Sequence, residues 1–455
     1  MNYDLVVLGG GPGGYLAAER AGAAGLSVTL IEKNKLGGTC LNEGCIPSKA
    51  FLQSAKVADY AKHAASYGVN ASYANVDQKA VVERKNRIVR KLVGGVKVTM
   101  RETNVNVVSG EGVLVKDSNG AGVKVGDQIF YGKNIIIATG SESVMPPITG
   151  AKEAYASGKM LTNREILDLT VIPESLIVIG GGVIGLEMAS YFNSVGSRVT
   201  VIEMLDHIGG QTESQISEML KTVYEKKGIE FILGAKVVGI TDDGVNYEIG
   251  GETKKIVCDK ILMSVGRRAN TANIGLENLN IATERGAIVT DGKMKTNVPN
   301  IYAVGDVNGK VMLAHTAYRE AEVAVNTILG KIDEMIYDYI PSVIYTNPEV
   351  ACVGLTEEAA QQKGINAKVV SLPMQYSGRF VAENADPDGI CKLVFDIDKN
   401  TLIGAHMMGN SSGEIIYGVA MLINTAVDVE TIKRQIFPHP TVSEIIRECV
   451  FKLDK

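Results

Sequence analysis

Residues 4–32 read DLVVLGGGPGGYLAAERAGAAGLSVTLIE, and residues 175–203 read SLIVIGGGVIGLEMASYFNSVGSRVTVIE. The two stretches align without a gap. Twelve of the 29 positions are identical: Leu5, Val7, Gly9, Gly10, Gly11, Gly14, Ala18, Gly25, Val28, Thr29, Ile31 and Glu32 each meet their own kind 171 residues later. Each copy runs from an apolar stretch through a glycine cluster and an amphipathic segment to a second apolar run closed by a glutamate. That order predicts a strand–helix–strand unit, written twice.

In the first copy Gly9-x-Gly11-x-x-Gly14 falls at the turn from strand to helix. The first glycine permits the tight turn and the second lets a pyrophosphate approach backbone. The third lets the helix pack close to the strand, so that the N–H groups of its first turn receive the phosphate charge. Glu32, at the end of the second strand, stands where a carboxylate accepts from ribose hydroxyls. Gly180, Gly182, Gly185 and Glu203 repeat the pattern at the same spacing. A carboxylate at Glu203 pairs with a free 2′-hydroxyl and repels a 2′-phosphate. Met204, Leu205 and Asp206 follow it with no cation, so the second site is read as one for NAD rather than NADP.

Outward from these units the rest of the chain takes its place. Apolar runs ending in glycine or aspartate recur at 135–140 (IIIATG), 261–266 (ILMSVG) and 301–306 (IYAVGD), as strands opening a ligand edge do. A lysine- and arginine-rich helical pattern over 81–103 reads as a solvated face. From about 341 short β-rich runs (350–355, 368–372, 389–395, 402–408) precede a helical stretch through 414–427, and the glycine-turn pattern is gone. The expected fold is α/β, with two Rossmann-like dinucleotide-binding domains and a separate C-terminal α+β domain. The expected boundaries are 1–145, 146–270, a central domain at 271–340 completing the first site, and 341–455.

The 455 residues are 45% hydrophobic and 21% charged, with 50 glycines against 12 prolines, which fits a multi-domain globular chain rich in tight turns. A net charge of −5 without a long basic run gives no case for nucleic acid. No apolar run approaches membrane-spanning length, and Asp4 with an early glycine cluster does not suit a signal peptide, so the expected location is the cytoplasm. Cys258, Cys352, Cys391 and Cys449 read as isolated buried thiols.

The remaining two cysteines lie in GGTCLNEGCIPSK, residues 37–49. A zinc site needs further ligands, and no other Cys or His is near, so no metal is expected. Burial of two structural thiols is the bland alternative; a redox pair is the reading taken. Residues five apart in a regular helix are separated by more than about 7 Å, beyond disulfide reach. A helix starting here therefore needs a distorted first turn around Cys40, with Gly37, Gly38 and Gly44 supplying freedom and Pro47 removing an N–H. A thiol at a helix N-terminus is also easier to ionise.

With that segment in place the chain resembles the pyridine nucleotide–disulfide oxidoreductases, and among them the dihydrolipoamide dehydrogenases. IIIATGS (135–141), GGGVIGLE (180–187), SVGRRANT (264–271), TNVPNIYAVGDV (296–307), LAHTAYRE (313–320), YTNPEVACVG (345–354) and HPTVSE (439–444) carry the likeness along nearly the whole chain. The resemblance implies FAD in the first site, held by Gly9, Gly11, Gly14, Glu32, Lys33, Thr39, Lys49, Gly112, Thr139, Gly140, Ser141 and Asp306, with Leu313, Ala314 and His315 against the flavin. It implies NAD at Gly180, Gly182, Gly185, Glu187, Glu203, Val237 and Gly266.

The resemblance further implies that Cys40 exchanges with substrate, that Cys45 faces the flavin, and that Lys49 pairs with Glu187. Without it the last two read as surface charges. His439, followed by Pro440 in a cis bond, is implied as the base, oriented by Glu444 and serving the other subunit of a homodimer. Phe437 departs from the family, many of whose members have a histidine there. The implied substrate is a dihydrolipoyl group on a carrier protein or domain of a 2-oxoacid dehydrogenase, glycine-cleavage or acetoin-type complex.

Overall fold

The structure, a computed structural model, describes residues 1–73, 75–385 and 388–453. The first repeat forms the strand Asn2–Leu8, the helix Pro12–Ala23 and the strand Val28–Glu32. In the sheet the parallel strands run Asn106–Ser109, Val28–Glu32, Asn2–Leu8 and Gln128–Ile137. The start of Gln128–Ile137 pairs with an antiparallel hairpin, and its end with Ile301–Ala303. The third apolar run thus joins the first sheet. Leu5–Leu8 and Ile135–Ile137 are buried because both faces of the sheet are covered.

The second repeat builds the same unit from Ser175–Ile179, Val183–Val195 and Arg198–Ile202. Its parallel sheet runs Glu230–Ile232, Arg198–Ile202, Ser175–Ile179, Lys260–Met263 and Met160–Leu161. A three-stranded antiparallel meander, 236–257, is appended to it. The glycine turns match in detail: φ is +106° at Gly9 and +105° at Gly180. A Cβ on Gly14 would meet the Gly9 carbonyl oxygen at 1.8 Å, and one on Gly185 the Gly180 oxygen at 2.1 Å. Only glycine lets the helix approach the strand so closely.

The C-terminal unit is an antiparallel sheet in the order Ser342–Ile344, Val350–Gly354, Thr401–Met408, Ile390–Asp396, Ala367–Pro373, packed against the helix Ser412–Asn424. One apolar cluster joins all three units, bringing together Phe51, Tyr191, Tyr224, Ile344 and Met408. Phe51 and Tyr191 stack with ring centroids 4.6 Å apart, and neither is exposed. Among the described residues no helix is long and apolar enough to cross a membrane.

Two thiol expectations change. Cys391 and Cys449 are not isolated: they adjoin in the C-terminal core, where the Cys449 thiol points at the Cys391 carbonyl oxygen at 3.8 Å. Cys352 lines an internal cavity rather than closed core.

Candidate active site

The redox segment does not form one distorted turn. It folds as two helices, Gly38–Glu43 and Cys45–Lys62, broken at Gly44 (φ −145°, ψ −108°). Cys40 sits within the first helix and Cys45 opens the second, so the break removes the axial separation that a continuous helix imposes. Gly37 and Gly38 enter the turn with φ of +95° and +54°, which explains the glycine pair. Pro47 is the third residue of its helix, where an N–H has no intrahelical partner in any case.

Both cysteines are free thiols at the wall of a cavity of about 2700 Å³. The Cys40 thiol donates to Cys45. That bond first, and burial second, push the Cys40 pKa well up. The same bond lowers Cys45 to about 7, against the opposing effect of burial and with help from the Lys49 ammonium. The pair therefore carries its first negative charge on Cys45.

Lys49 Nζ donates to both carboxylate oxygens of Glu187, at 2.9 and 3.0 Å. It also lies 4.2 Å from the centroid of the Tyr345 ring. Glu187, only 4% exposed, accepts in addition from the Tyr345 N–H at 3.1 Å. Three elements distant in sequence thus meet at one ion pair. Tyr345 belongs to the YTNPEVACVG stretch, which the sequence reading noticed without assigning it a side-chain role.

Of the residues expected around FAD, Gly9, Gly11, Glu32, Lys33, Thr39, Lys49, Gly112, Thr139, Gly140, Ser141, Asp306, Leu313, Ala314 and His315 all line the cavity. Gly14 lies behind its wall, on the side of the helix Pro12–Ala23 that faces the strand. Ser141 Oγ donates to Asp306. Arg267, from the SVGRRANT stretch, donates to Ser141 Oγ and to its carbonyl oxygen at 2.7 Å each. Glu32 accepts from the Gly10 and Asn34 N–H groups at 2.6 and 2.7 Å.

The cavity reaches the second unit through Val183, Ile184 and Glu187. Gly180, Gly182, Gly185, Glu203 and Gly266 gather at the carboxyl edge of the second sheet, outside this cavity. There Glu203 accepts from the Gly181 and Leu205 N–H groups at 2.6 and 2.8 Å. Val237 follows Ala235, whose N–H donates to the Glu203 carbonyl oxygen at 3.0 Å. It lies on the meander at 9% exposure, packed in the apolar core of the second unit, because its strand turns that side chain inward.

His439 and Glu444 meet as expected, Nδ1 to Oε1 at 2.8 Å, with the His439–Pro440 bond cis. The Thr441 N–H, first, and His439 hold the Glu444 carboxyl below the usual range. This pair does not line the chain's own cavity, and the imidazole is 79% exposed. Phe437 packs against the C-terminal core. A second cis bond, Asn347–Pro348, went unanticipated.

Two dinucleotide loops flanking a thiol pair define a disulfide oxidoreductase of the two-nucleotide type. The chain belongs to the pyridine nucleotide–disulphide oxidoreductases: their family model matches residues 3–321, and that of their dimerisation domain residues 340–450. It is 40% identical to the dihydrolipoyl dehydrogenase of Chlamydia muridarum over 98% of this chain and 96% of that one. The dihydrolipoyl dehydrogenase of Geobacillus stearothermophilus is 39% identical over 98% and 95%. Among solved structures, the HOCl-induced flavoprotein disulfide reductase RclA from Escherichia coli superposes with a TM-score of 0.87 at 28% identity, covering 99% of each chain.

The protein is a flavoprotein oxidoreductase whose cofactors are FAD and NAD. The residues present fit both. The helices Pro12–Ala23 and Val183–Val195 start without any side-chain cap, which leaves their first N–H groups for an anion. The space beside each loop is open: a Cβ on Gly11 meets nothing nearer than 3.9 Å, and one on Gly182 nothing within 4 Å.

Proposed function

We propose that this enzyme oxidises a protein-bound dihydrolipoyl group to lipoyl and reduces NAD, using the Cys40–Cys45 disulfide and FAD. The observation that carries the reading is the asymmetric thiol pair. Cys45 ionises at about 7 beside Lys49, and Cys40 stays protonated. A substrate thiolate attacks Cys40, and Cys45 leaves as the thiolate that the Lys49 charge stabilises. The second substrate thiol then displaces Cys40 and closes the lipoyl ring. Bound FAD supplies the two-electron exchange between thiol and nicotinamide chemistry.

Lys49 and Glu187 hold each other at the junction of the two units, keeping a fixed cation next to Cys45. His439 acts as the base for the substrate thiols, with Glu444 orienting its ring and stabilising the imidazolium. Its exposure outside this chain's cavity supports a role in the partner's site of a homodimer, which the dimerisation domain provides for. Glu203 selects NAD through the ribose. The carrier is a lipoylated protein or domain of a 2-oxoacid dehydrogenase, glycine-cleavage or acetoin-type complex, met in the cytoplasm.

Steady-state assays with dihydrolipoamide and NAD+ test this, run beside NADP+ and beside glutathione disulfide with NADPH. Turnover is expected in the first assay only. Faster turnover of glutathione disulfide, or a preference for NADP+, would overturn the reading.

A further inference from the structure

Tyr15 and Tyr318 are 303 residues apart in sequence, yet their hydroxyls share one hydrogen bond. Their rings meet edge-on with centroids 6.0 Å apart. Tyr15 comes from the helix behind the first glycine loop and Tyr318 from the helix Ala314–Ile328, which packs against it. Tyr15 is buried in the core of the first unit. Tyr318 is half-buried and lines the cavity wall that also carries Cys40.

Two phenols carry two protons, and the shared bond uses only one of them. Tyr15 does not line the cavity, and the bond raises the Tyr15 phenol while it lowers Tyr318, so Tyr15 is the donor. The proton of Tyr318 is left facing the cavity. Burial raises both phenols, so each keeps its proton at neutral pH, and both lie within electrostatic reach of Cys40. Among the described residues no side chain other than Cys45 hydrogen-bonds Cys40. Cys45 itself changes charge during exchange.

We infer that Tyr318 is a catalytic residue on the substrate side, donating a hydrogen bond to Cys40 Sγ as thiol exchange places charge there, and that Tyr15 is its positioning residue. The inference rests on the dithiol-oxidising function proposed above. In the first exchange a bond forms between substrate sulfur and Cys40 while the Cys40–Cys45 bond breaks, Cys45 taking its electron pair. In the second, a bond forms between the two substrate sulfurs while the Cys40–substrate bond breaks, and the pair returns to Cys40. The dithiol loses two electrons and two protons. The disulfide gains the two electrons; one proton rests on the His439 imidazole and the other on Cys40. Tyr318 keeps its own proton throughout and lowers the energy of the Cys40 thiolate that leaves in the second exchange.

The test is Tyr318→Phe, which keeps the ring and removes the donor. Oxidised holoenzyme is mixed rapidly with dihydrolipoamide in one experiment and with NADH in another. The rate with dihydrolipoamide is expected to fall about tenfold, the loss of one hydrogen bond to a charged group, with the NADH rate held. In the NADH-reduced enzyme, iodoacetamide modification of Cys40 should shift to higher pH by about one unit. Tyr15→Phe should move both readouts the same way by less, with flavin content and melting temperature as the folding control. Equal loss in both half-reactions, or an unmoved Cys40 profile, overturns the inference. A wild-type enzyme inactive with dihydrolipoamide overturns the function it rests on, and the inference with it. An active wild type with an unaffected variant overturns the inference alone.

Discussion

Lys49 Nζ and Glu187 Oε1 stand 2.9 Å apart across 138 residues of sequence, and the bond joins the helix that Cys45 opens to the helix of the second glycine loop. The ammonium so placed is one cause of the low Cys45 pKa. Lys49→Met removes that charge, leaving burial less opposed, so the first thiol of the reduced pair should ionise above pH 7 instead of near it. Ultraviolet thiolate absorbance against pH measures the shift. An unchanged midpoint would show that Lys49 does not set the ionisation.

Cys40→Ser and Cys45→Ser should each lower dihydrolipoamide–NAD+ turnover by more than about a thousandfold, since one sulfur cannot form the disulfide. The double replacement should cost little more than either single one, because the two act as a unit. Steady-state rates on the three variants check this.

His439→Gln should cut dihydrolipoamide oxidation by about a hundredfold or more and leave reduction by NADH intact, because only the thiol half-reaction needs the base. The carboxyl of Glu444 lies below the usual range, so it stays ionised down through mildly acid pH and adds no break to the pH–rate profile there. Near wild-type turnover of dihydrolipoamide in the Gln variant would remove His439 from its role.

Glu203→Arg replaces the carboxylate proposed to accept from the ribose with a cation suited to a 2′-phosphate. The NAD+ to NADP+ ratio of kcat/KM should fall by at least about tenfold. An unchanged ratio would place the specificity elsewhere.

Gly14→Ala drives a Cβ to 1.8 Å from the Gly9 carbonyl oxygen, so the helix has to move off the strand. The expected cost is about 1–3 kcal/mol of stability, together with loss of flavin as the phosphate-binding turn opens. Urea denaturation and the ratio of flavin to protein absorbance report the two effects.

Lys392 and Glu213 form a buried ion pair at 2.6 Å, with side chains 9% and 2% exposed, between the C-terminal sheet and the second dinucleotide unit. Lys392→Met strands the carboxylate and should destabilise the fold by about 3–5 kcal/mol, read from the same denaturation curves.

The glycine turns, the acids that close them and the strand runs of all three units were legible because each is a local demand on backbone. A positive φ or a close helix–strand contact admits one residue type, and periodicity of two or 3.6 shows which face is buried. The C-terminal strands Val350–Gly354, Ala367–Pro373, Ile390–Asp396 and Thr401–Met408 lie within two residues of the short β-rich runs. Gly44 shows where local reading fell short. It was read as flexibility within one turn, whereas its backbone separates two helices, and helix breaks depend on what the flanking segments pack against.

By itself the sequence determined two nucleotide-binding units, a cysteine pair between them and a third domain of different character, since these follow from interactions within about thirty residues. Tertiary structure decided which distant side chains meet. Lys49 meets Glu187 where the helix Cys45–Lys62 reaches Val183–Val195, Arg267 meets Ser141 across the paired strands Arg267–Ala269 and Ser141–Ser143, and Tyr15 meets Tyr318 where Pro12–Ala23 packs on Ala314–Ile328. Side-chain pairing over hundreds of residues is set by how whole elements dock, and docking is a property of the assembled core.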